Sequence, residues 1–346
     1  ARQGVAFTDA HSGSSVCTPT RYGILTGRYS WRSRLQSGIV TGYSRPLIPE
    51  SRLTVASLLK RAGYQTAMVG KWHLGLDWQP AAPGRPLGHS GPEPELGTVL
   101  TPDAQRALDN VNYAKPVNGG PVSIGFDEFH GVTAPDIPPF VWIENDRVVG
   151  QPDRYMRVIR SGVGHHGYDV RQLLPTLARR ATEYLERQAP AARSGTPFFL
   201  FFSLTAPHSP LVPAPEWMGR SGIGLYGDFV MHADAVIGEV LHCLDRNGLA
   251  DNTIVVLTSD NGCAPYVGVT DRFGDDVRGE MRLLMDGDGQ PAAVLLGEVL
   301  QFHGAGCLGL NHQGIDAGVE LVVTGHGRDV RKGPKAVEFA HPCKGR

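Results

Sequence analysis

The amino-acid sequence predicts an α/β protein built on a largely parallel sheet. Short apolar runs alternate with segments whose apolar residues recur at helical spacing, which is the pattern of strands connected by helices. Polar clusters directly follow three of the apolar runs, where open α/β sheets place their ligand sites. The chain has 346 residues, 41% hydrophobic and 19% charged, so it has ample material for a core.

The first predicted elements lead to a cluster of basic residues. Residues 4–8 are apolar enough to form a strand, and residues 53–62 carry apolar side chains at helical spacing. Residues 65–69 predict the strand that follows this helix. Lys71 and His73 come directly after that strand, so we expect both at the edge of the sheet.

The middle of the chain combines an irregular stretch with two clear elements. Residues 79–125 are rich in Pro and Gly with little periodicity, which predicts a long surface loop and no core element. Residues 125–131 begin an ordered segment, and residues 173–187 predict a helix. Residues 197–204 form a continuous apolar run, typical of a strand buried on both faces, and His208 follows it closely.

A second helix and strand pair precedes the third polar cluster. Apolar residues recur at helical spacing over residues 229–244, and Gly248 is expected to end that helix. Residues 252–258 then predict another buried strand. Asp260 and Asn261 stand at its carboxyl end.

Charge and composition exclude some classes of partner. The chain carries 33 basic and 34 acidic residues, so no global field favours nucleic acid or an anionic membrane. No run approaches the roughly 20 apolar residues of a membrane span, and no segment has the pattern of a signal peptide. The five cysteines show no Cys-x-x-Cys pairs and leave the compartment open.

The run Cys17-Thr18-Pro19-Thr20-Arg21 is the most informative motif. Pro19 favours the first turn of a helix, which would place Cys17 at a helix N-terminus. Free amides and the helix dipole favour an anion such as sulfate at that position. Arg21 would lie one turn further along the same face and offer a guanidinium to an anionic oxygen. A lone buried cysteine with no reactivity is the structural alternative.

This run and residues 22–28 resemble the signature of the type I sulfatases, formylglycine-dependent arylsulfatases of the alkaline phosphatase-like superfamily. The resemblance extends over about residues 4–265. It implies an alkaline phosphatase-like mixed, largely parallel sheet flanked by helices and incomplete at both ends. Residues 1–270 would then be a partial catalytic core, and residues 271–346 a divergent tail for which no fold is predicted.

The resemblance also implies a reaction and the residues that perform it. A maturation enzyme would oxidise Cys17 to formylglycine, whose hydrate attacks the sulfur of a sulfate ester and later expels sulfate through its second hydroxyl. His73 would be the base for that expulsion, and His208 the general acid for the leaving alcohol. Arg21 and Lys71 would hold the sulfate and formylglycine oxygens.

A divalent cation, Ca²⁺ or Mg²⁺, is implied as well. Its ligands would be Asp260, Asn261 and the formylglycine made from Cys17. Family members normally also carry an Asp-Asp pair before the cysteine, but only Asp9 is acidic there. The downstream Lys and the Glu-Gly-Gly segment of the family are not recognisable either, and residues 278–280 resemble that segment only weakly. We therefore expect an incomplete metal site, in an internal fragment of a sulfatase gene whose 3′ region diverged through a shifted reading frame.

Other functional interpretations stay open at this point. A phosphonate or phosphodiester hydrolase of the same superfamily is one, and an inactive, anion-binding remnant is another. The implied partners are a sulfated small molecule or glycan and the formylglycine-generating maturation enzyme. The resemblance implies a periplasmic or secreted location.

Overall fold

The computed structural model describes residues 7, 10–262 and 319–325. Its five α-helices are α1 Cys17–Thr26, α2 Val55–Arg61, α3 Pro102–Asp109, α4 Leu173–Arg193 and α5 Leu225–Arg246. Its strands are β1 Gln65–Lys71, β2 Glu128–Val132, β3 Trp142–Glu144, β4 Arg147–Val149, β5 Arg154–Arg157, β6 Ser161–Gly164, β7 Phe198–Ser203, β8 Thr253–Ser259 and β9 Val319–Gly325.

Seven strands form one mixed sheet in the order β4-β3-β2-β1-β7-β9-β8. Strand β1 pairs in parallel with β2 and β7, whereas the remaining described pairs of this sheet are antiparallel. Strands β7 and β8 run in the same direction because β9 is antiparallel to both. The carboxyl ends of β1, β7 and β8 therefore lie at one edge, and the predicted α/β class with a mixed sheet is confirmed.

Helices cover both faces of the sheet. In β7, Phe198, Leu200 and Phe202 pack into the core formed with α4 and α5, while Phe199 and Phe201 join the core of the opposite face with α1 and α2. All six residues of β7 are buried. The predicted strand buried on both faces is confirmed, since alternate side chains fill two different cores.

Helix α4 continues beyond its predicted end at residue 187 to Arg193. Its last turns remain helical past Pro190 because Ala189 and Ala192 are buried against the same core as the earlier turns. No helix within the described residues is apolar over enough length to cross a lipid bilayer.

The expectation that residues 79–125 form only a surface loop is wrong. The stretch contains α3, and Leu100, Val111 and Tyr113 are buried in the core on the α1 side. The Asp109 carboxylate is also buried there and accepts hydrogen bonds from the Tyr113 hydroxyl and other side chains. The segment therefore contributes both apolar side chains and a buried polar network to the core.

The two last strands of the sheet depart from the sequence prediction. Among the described strands, β8 lies at the edge of the sheet, and its Ile254 and Val256 are 56% and 49% exposed, so the expectation of a buried strand is wrong for one of its faces. Strand β9 comes from the range 271–346, for which no fold was predicted. The predicted strand at 4–8 and the weak resemblance at 278–280 fall outside the described residues, apart from residue 7.

Candidate functional site

Cys17 is the first residue of α1, as the motif predicts, and it is buried. Val16 provides no side-chain cap, and the first turn of α1 contains no acidic residue. The first amides of a helix have no partner within the helix, and the dipole makes this end electropositive. The position of Cys17 therefore favours a group that is negative or becomes negative.

His73 faces Cys17 with a defined ring nitrogen. Its Nδ1 lies 3.0 Å from Cys17 Sγ, and its Nε2 lies 3.0 Å from the carbonyl oxygen of Val40. A carbonyl can only accept, so Nε2 must carry the proton in this arrangement. The neutral ring consequently presents an acceptor lone pair at Nδ1 to the side chain of residue 17.

The surroundings of His73 keep its imidazole neutral. Burial lowers its pKa well below the usual value, and the positive charges of Lys71 and Arg21 lower the pKa further. The hydrogen bond to Val40 acts in the opposite direction. A neutral, buried imidazole with an unprotonated ring nitrogen can take up a proton during a reaction.

Arg21 connects α1 to the ends of three strands. Its Nε and Nη2 donate to Asp260 Oδ2 at 3.1 and 2.9 Å, and its Nη1 donates to the Lys71 carbonyl at 2.8 Å and to the Ser203 hydroxyl. Ser203 in turn donates to the Lys71 carbonyl at 2.8 Å. Lys71 ends β1, Ser203 ends β7 and Asp260 follows β8. The guanidinium of Arg21 therefore donates hydrogen bonds to residues at the carboxyl ends of all three strands.

Lys71 is a buried cation. Its side chain is 0% exposed, and its Nζ makes no hydrogen bond to any of the described residues. A buried ammonium without a partner is unfavourable, because burial removes its hydration and nothing replaces it. A bound anion would supply the missing interaction.

His208 is the second histidine of the site. Its Nδ1 donates to the Ser209 carbonyl at 2.6 Å, so Nε2 is the nitrogen that gains or loses the second proton. Burial lowers the pKa of His208 well below its usual value, with a further lowering by the charge of Lys71. A bound anion would offset that charge and raise the pKa of His208, which a general acid requires.

The carboxyl end of β8 offers hard oxygen donors. Asp260 and Asn261 are both buried, and carboxylate and amide oxygens are the ligands that Ca²⁺ and Mg²⁺ prefer. No group of three or more His, Cys, Asp or Glu side chains suited to a metal is found among residues 10–262 and 319–325. Asp260, Asn261 and residue 17 are of the chemical type that binds a hard cation. Such a cation takes about six ligands, which is more than these three residues supply.

The structure brings the predicted residues to one edge of the sheet. Contacts join Cys17 to His73 and Arg21 to Lys71 and Asp260, and the charge of Lys71 acts on His208. The sequence prediction missed Ser203, although a polar residue ending an apolar run is a usable signal. It also missed Val40. Val40 contributes a backbone carbonyl, which every residue has, so its residue type gives no signal.

Comparison with known proteins gives consistent matches. The sequence model of the Sulfatase family matches residues 1–274. The N-acetylgalactosamine-6-O-sulfatase of Bacteroides thetaiotaomicron is 31% identical, over 87% of this chain and 60% of its own length. Human arylsulfatase A is also 31% identical, over 75% of this chain and 45% of its own length. The chain thus spans about half the length of such curated relatives.

A solved structure supports the same assignment. It is a sulfatase from work on glycosaminoglycan metabolism by Bacteroides thetaiotaomicron, with 27% identity and a TM-score of 0.60 over 78% of this chain and 58% of that one. Sulfatases of this kind generally depend on formylglycine and a metal ion. The resemblance carried by the Cys17 motif is confirmed, and the chain belongs to the sulfatase family.

Proposed function

We propose that the protein containing this chain hydrolyses sulfate esters of aryl or carbohydrate alcohols, with a formylglycine made from Cys17. The observation that carries the proposal is the 3.0 Å contact between Cys17 Sγ and His73 Nδ1, at the N-terminus of α1. The buried Lys71 ammonium supports it, because an anionic sulfate would satisfy this cation. When present, hydrated formylglycine supplies a hydroxyl that attacks sulfur and a second that allows sulfate to leave.

In this proposal His73 is the base that acts on residue 17. The Val40 carbonyl holds the proton of Nε2, which leaves Nδ1 to accept a proton from a hydroxyl bound where the sulfur now stands. The low pKa of the resting imidazole keeps Nδ1 unprotonated before the reaction. His73 can then return the proton to solvent or to the departing group.

His208 is the proposed general acid, and it donates a proton from Nε2 to the alcohol oxygen as the ester bond breaks. Burial and, after it, the charges of Lys71 and Arg21 lower its pKa, and an anionic substrate would offset the part that is due to the charges. Binding of the anionic substrate would thereby favour the protonated form of His208.

The two cations of the site have different parts in the proposal. Arg21 already donates to Asp260, Ser203 and the Lys71 carbonyl, so its main task is to hold the strand ends in place. Lys71 has no hydrogen bond to any described residue and is the cation available to a sulfate oxygen. Such a preorganised charge is worth more in a water-excluded site than in water.

Asp260, Asn261 and residue 17 would hold Ca²⁺ or Mg²⁺. The cation would polarise the sulfate. These three residues would supply only part of the six or so oxygen ligands that such a cation takes.

The names of the relatives indicate the substrate class. They include an N-acetylgalactosamine-6-O-sulfatase, an arylsulfatase and the steryl-sulfatase of Rattus norvegicus, which is 32% identical over 76% of this chain. A sulfated glycan or small molecule is therefore the proposed substrate. A maturation enzyme that makes formylglycine is the proposed partner, and the periplasm or the cell exterior the proposed location.

Mass spectrometry and turnover together test the proposal. The chain is expressed with a formylglycine-generating enzyme, and the tryptic peptide of residues 3–21 is examined for loss of the thiol and gain of an aldehyde. Purified protein is then assayed with an aryl sulfate, an aryl phosphodiester and divalent cations. Conversion with turnover of the sulfate, lost in Cys17→Ala, is the expected result.

Two other outcomes would contradict the proposal. Preferred turnover of the phosphodiester would favour the phosphodiesterase alternative. An unmodified Cys17 with no turnover would favour an inactive, anion-binding remnant.

A further inference from the structure

Thr18 lies beside the nucleophile position and makes two hydrogen bonds outside its own helix. Its hydroxyl donates to the carbonyl oxygen of His73 at 3.0 Å and accepts from the backbone amide of Val40 at 3.4 Å. The side chain is 0% exposed, so no water competes for either bond. One hydroxyl thereby fixes two backbone segments that are 33 residues apart.

These bonds form a closed ring with the bond that sets the His73 tautomer. Thr18 donates to His73, Val40 donates to Thr18, and the His73 Nε2 proton goes to the Val40 carbonyl at 3.0 Å. The amide and the carbonyl of Val40 are both used, one by Thr18 and one by the imidazole. The position of that carbonyl opposite Nε2 therefore depends on the Thr18 hydroxyl.

The backbone of His73 also needs support. Its φ is 54°, in the left-handed region that residues with a side chain rarely adopt. Its amide donates to the Thr133 carbonyl at 2.8 Å, and its carbonyl accepts from Thr18. Both backbone groups of His73 are thus held by neighbours, which fixes the direction in which the ring leaves the chain.

We propose that Thr18 is a positioning residue that acts through His73 and keeps Nδ1 of its ring presented to residue 17 as an acceptor. The inference rests on the proposed function, because it assigns Thr18 to the base of that reaction. Residue 17 and the residue that orients its base are adjacent in one helical turn, so a shift of α1 moves both together. Misplacement of a reacting group by about 1 Å can cost on the order of 100-fold in rate.

The test compares three substitutions in the full chain. Thr18→Val has the same shape without the hydroxyl, and Thr18→Ser keeps the hydroxyl. Thr66→Val is the matched control, because Thr66 is also 0% exposed and its hydroxyl is hydrogen-bonded to the Gly125 carbonyl and to the carboxylate and amide of Asp127, at the opposite end of β1. Thr18→Ala replaces Thr18→Val should the valine variant not fold.

Two measurements are made on each variant. The first is the ¹⁵N spectrum of the His73 ring in protein with an unmodified Cys17, which reports the tautomer without any need for activity. The second is kcat and KM on an aryl sulfate, with rates divided by the fraction of residue 17 converted to aldehyde. We expect kcat to fall at least about 10-fold in Thr18→Val with KM nearly constant.

The spectrum of Thr18→Val should also show loss of the single Nε2–H tautomer, whereas Thr18→Ser and Thr66→Val should match the parent in both measurements. A parent-like tautomer and kcat in Thr18→Val would overturn the inference, as would equal losses in the serine and valine variants. If the parent protein itself has no turnover, the proposed function fails, but the tautomer measurement still decides the role of Thr18.

Discussion

The guanidinium of Arg21 forms a buried ion pair with the carboxylate of Asp260, 239 residues later in the chain, at an Nη2 to Oδ2 distance of 2.9 Å. The two side chains are 1% and 0% exposed. The pair connects the helix that begins at Cys17 with the edge strand β8. It therefore joins the proposed nucleophile position to the proposed cation ligand.

Replacing Arg21 alone should destabilise the fold strongly. Arg21→Met leaves a buried carboxylate opposite an apolar side chain, which costs about 3–5 kcal/mol in the free energy of unfolding. Urea denaturation measures the loss. The double variant Arg21→Met with Asp260→Leu should recover a large part of it, because the carboxylate that loses the guanidinium is removed as well, and an additive double variant would contradict this account.

Replacing Lys71 should increase the stability of the fold and lower the turnover of sulfate esters. Lys71→Met removes an ammonium that has no hydrogen bond within the described structure, so we expect the free energy of unfolding to rise by about 1 kcal/mol or more. Turnover of sulfate esters should fall about 100-fold or more. Lys60→Met is the control, because its ion pair with Asp127 is at the surface and is worth less than about 1 kcal/mol. A destabilised Lys71→Met would refute the prediction.

Replacing His208 should affect substrates according to their leaving group. His208→Ala removes the proposed acid, so alkyl and carbohydrate sulfates, whose alcohols leave poorly, should lose about 10²–10⁴-fold in kcat. An activated aryl sulfate, whose phenolate leaves without a proton, should lose far less. Steady-state kinetics on both substrates decides the matter, and equal losses would remove the role of His208 as acid.

His130 makes the stability of the fold depend on pH. It stacks on Trp142 with ring centroids 5.0 Å apart, and burial followed by the charge of Arg180 lowers its pKa to about 4. Above pH 6.5 the ring is neutral in the folded and unfolded states and contributes no pH dependence. Between about pH 6.5 and 4 the unfolded chain binds the proton and the folded chain does not, so stability falls with falling pH.

The size of this effect can be measured with a variant that does not titrate. The pKa difference between the two states corresponds to about 2–3 kcal/mol of stability lost by pH 4.5. Urea denaturation at pH 7.5 and 4.5 should show this extra loss in the parent and not in His130→Gln. The same loss in both proteins would assign the pH dependence to other groups.

Local signals explain which parts of the site could be predicted. Pro19 and the motif around it place Cys17 at the start of a helix, and an apolar run that ends in polar residues places Lys71 and Asp260 at strand ends. Each of these inferences needs only a few neighbouring residues. The parallel direction of β1, β7 and β8 then brings the ends together.

Other features depend on contacts between distant parts of the chain. The Arg21 to Asp260 pair spans 239 residues, and the Val40 carbonyl that orients His73 belongs to a residue whose side chain has no part in the site. The core contribution of residues 79–125 likewise involves a distant contact, because the buried Asp109 carboxylate accepts a hydrogen bond from the hydroxyl of Tyr43. Residue type and spacing along the chain do not indicate which distant residues come into contact.

The position of β9 between β7 and β8 determines when the site can form during synthesis. Among the described strands, β8 pairs with β9 alone, and β9 pairs with β7 by contacts such as Ser203 with Glu320. The helix that begins with Cys17 is made well before β9, and the strand before Asp260 is joined to the sheet only after residue 325 has been made. Pairing of this long sequence separation is slow to form. We therefore expect the buried pair of Arg21 with Asp260 to form only after β9 has been synthesised.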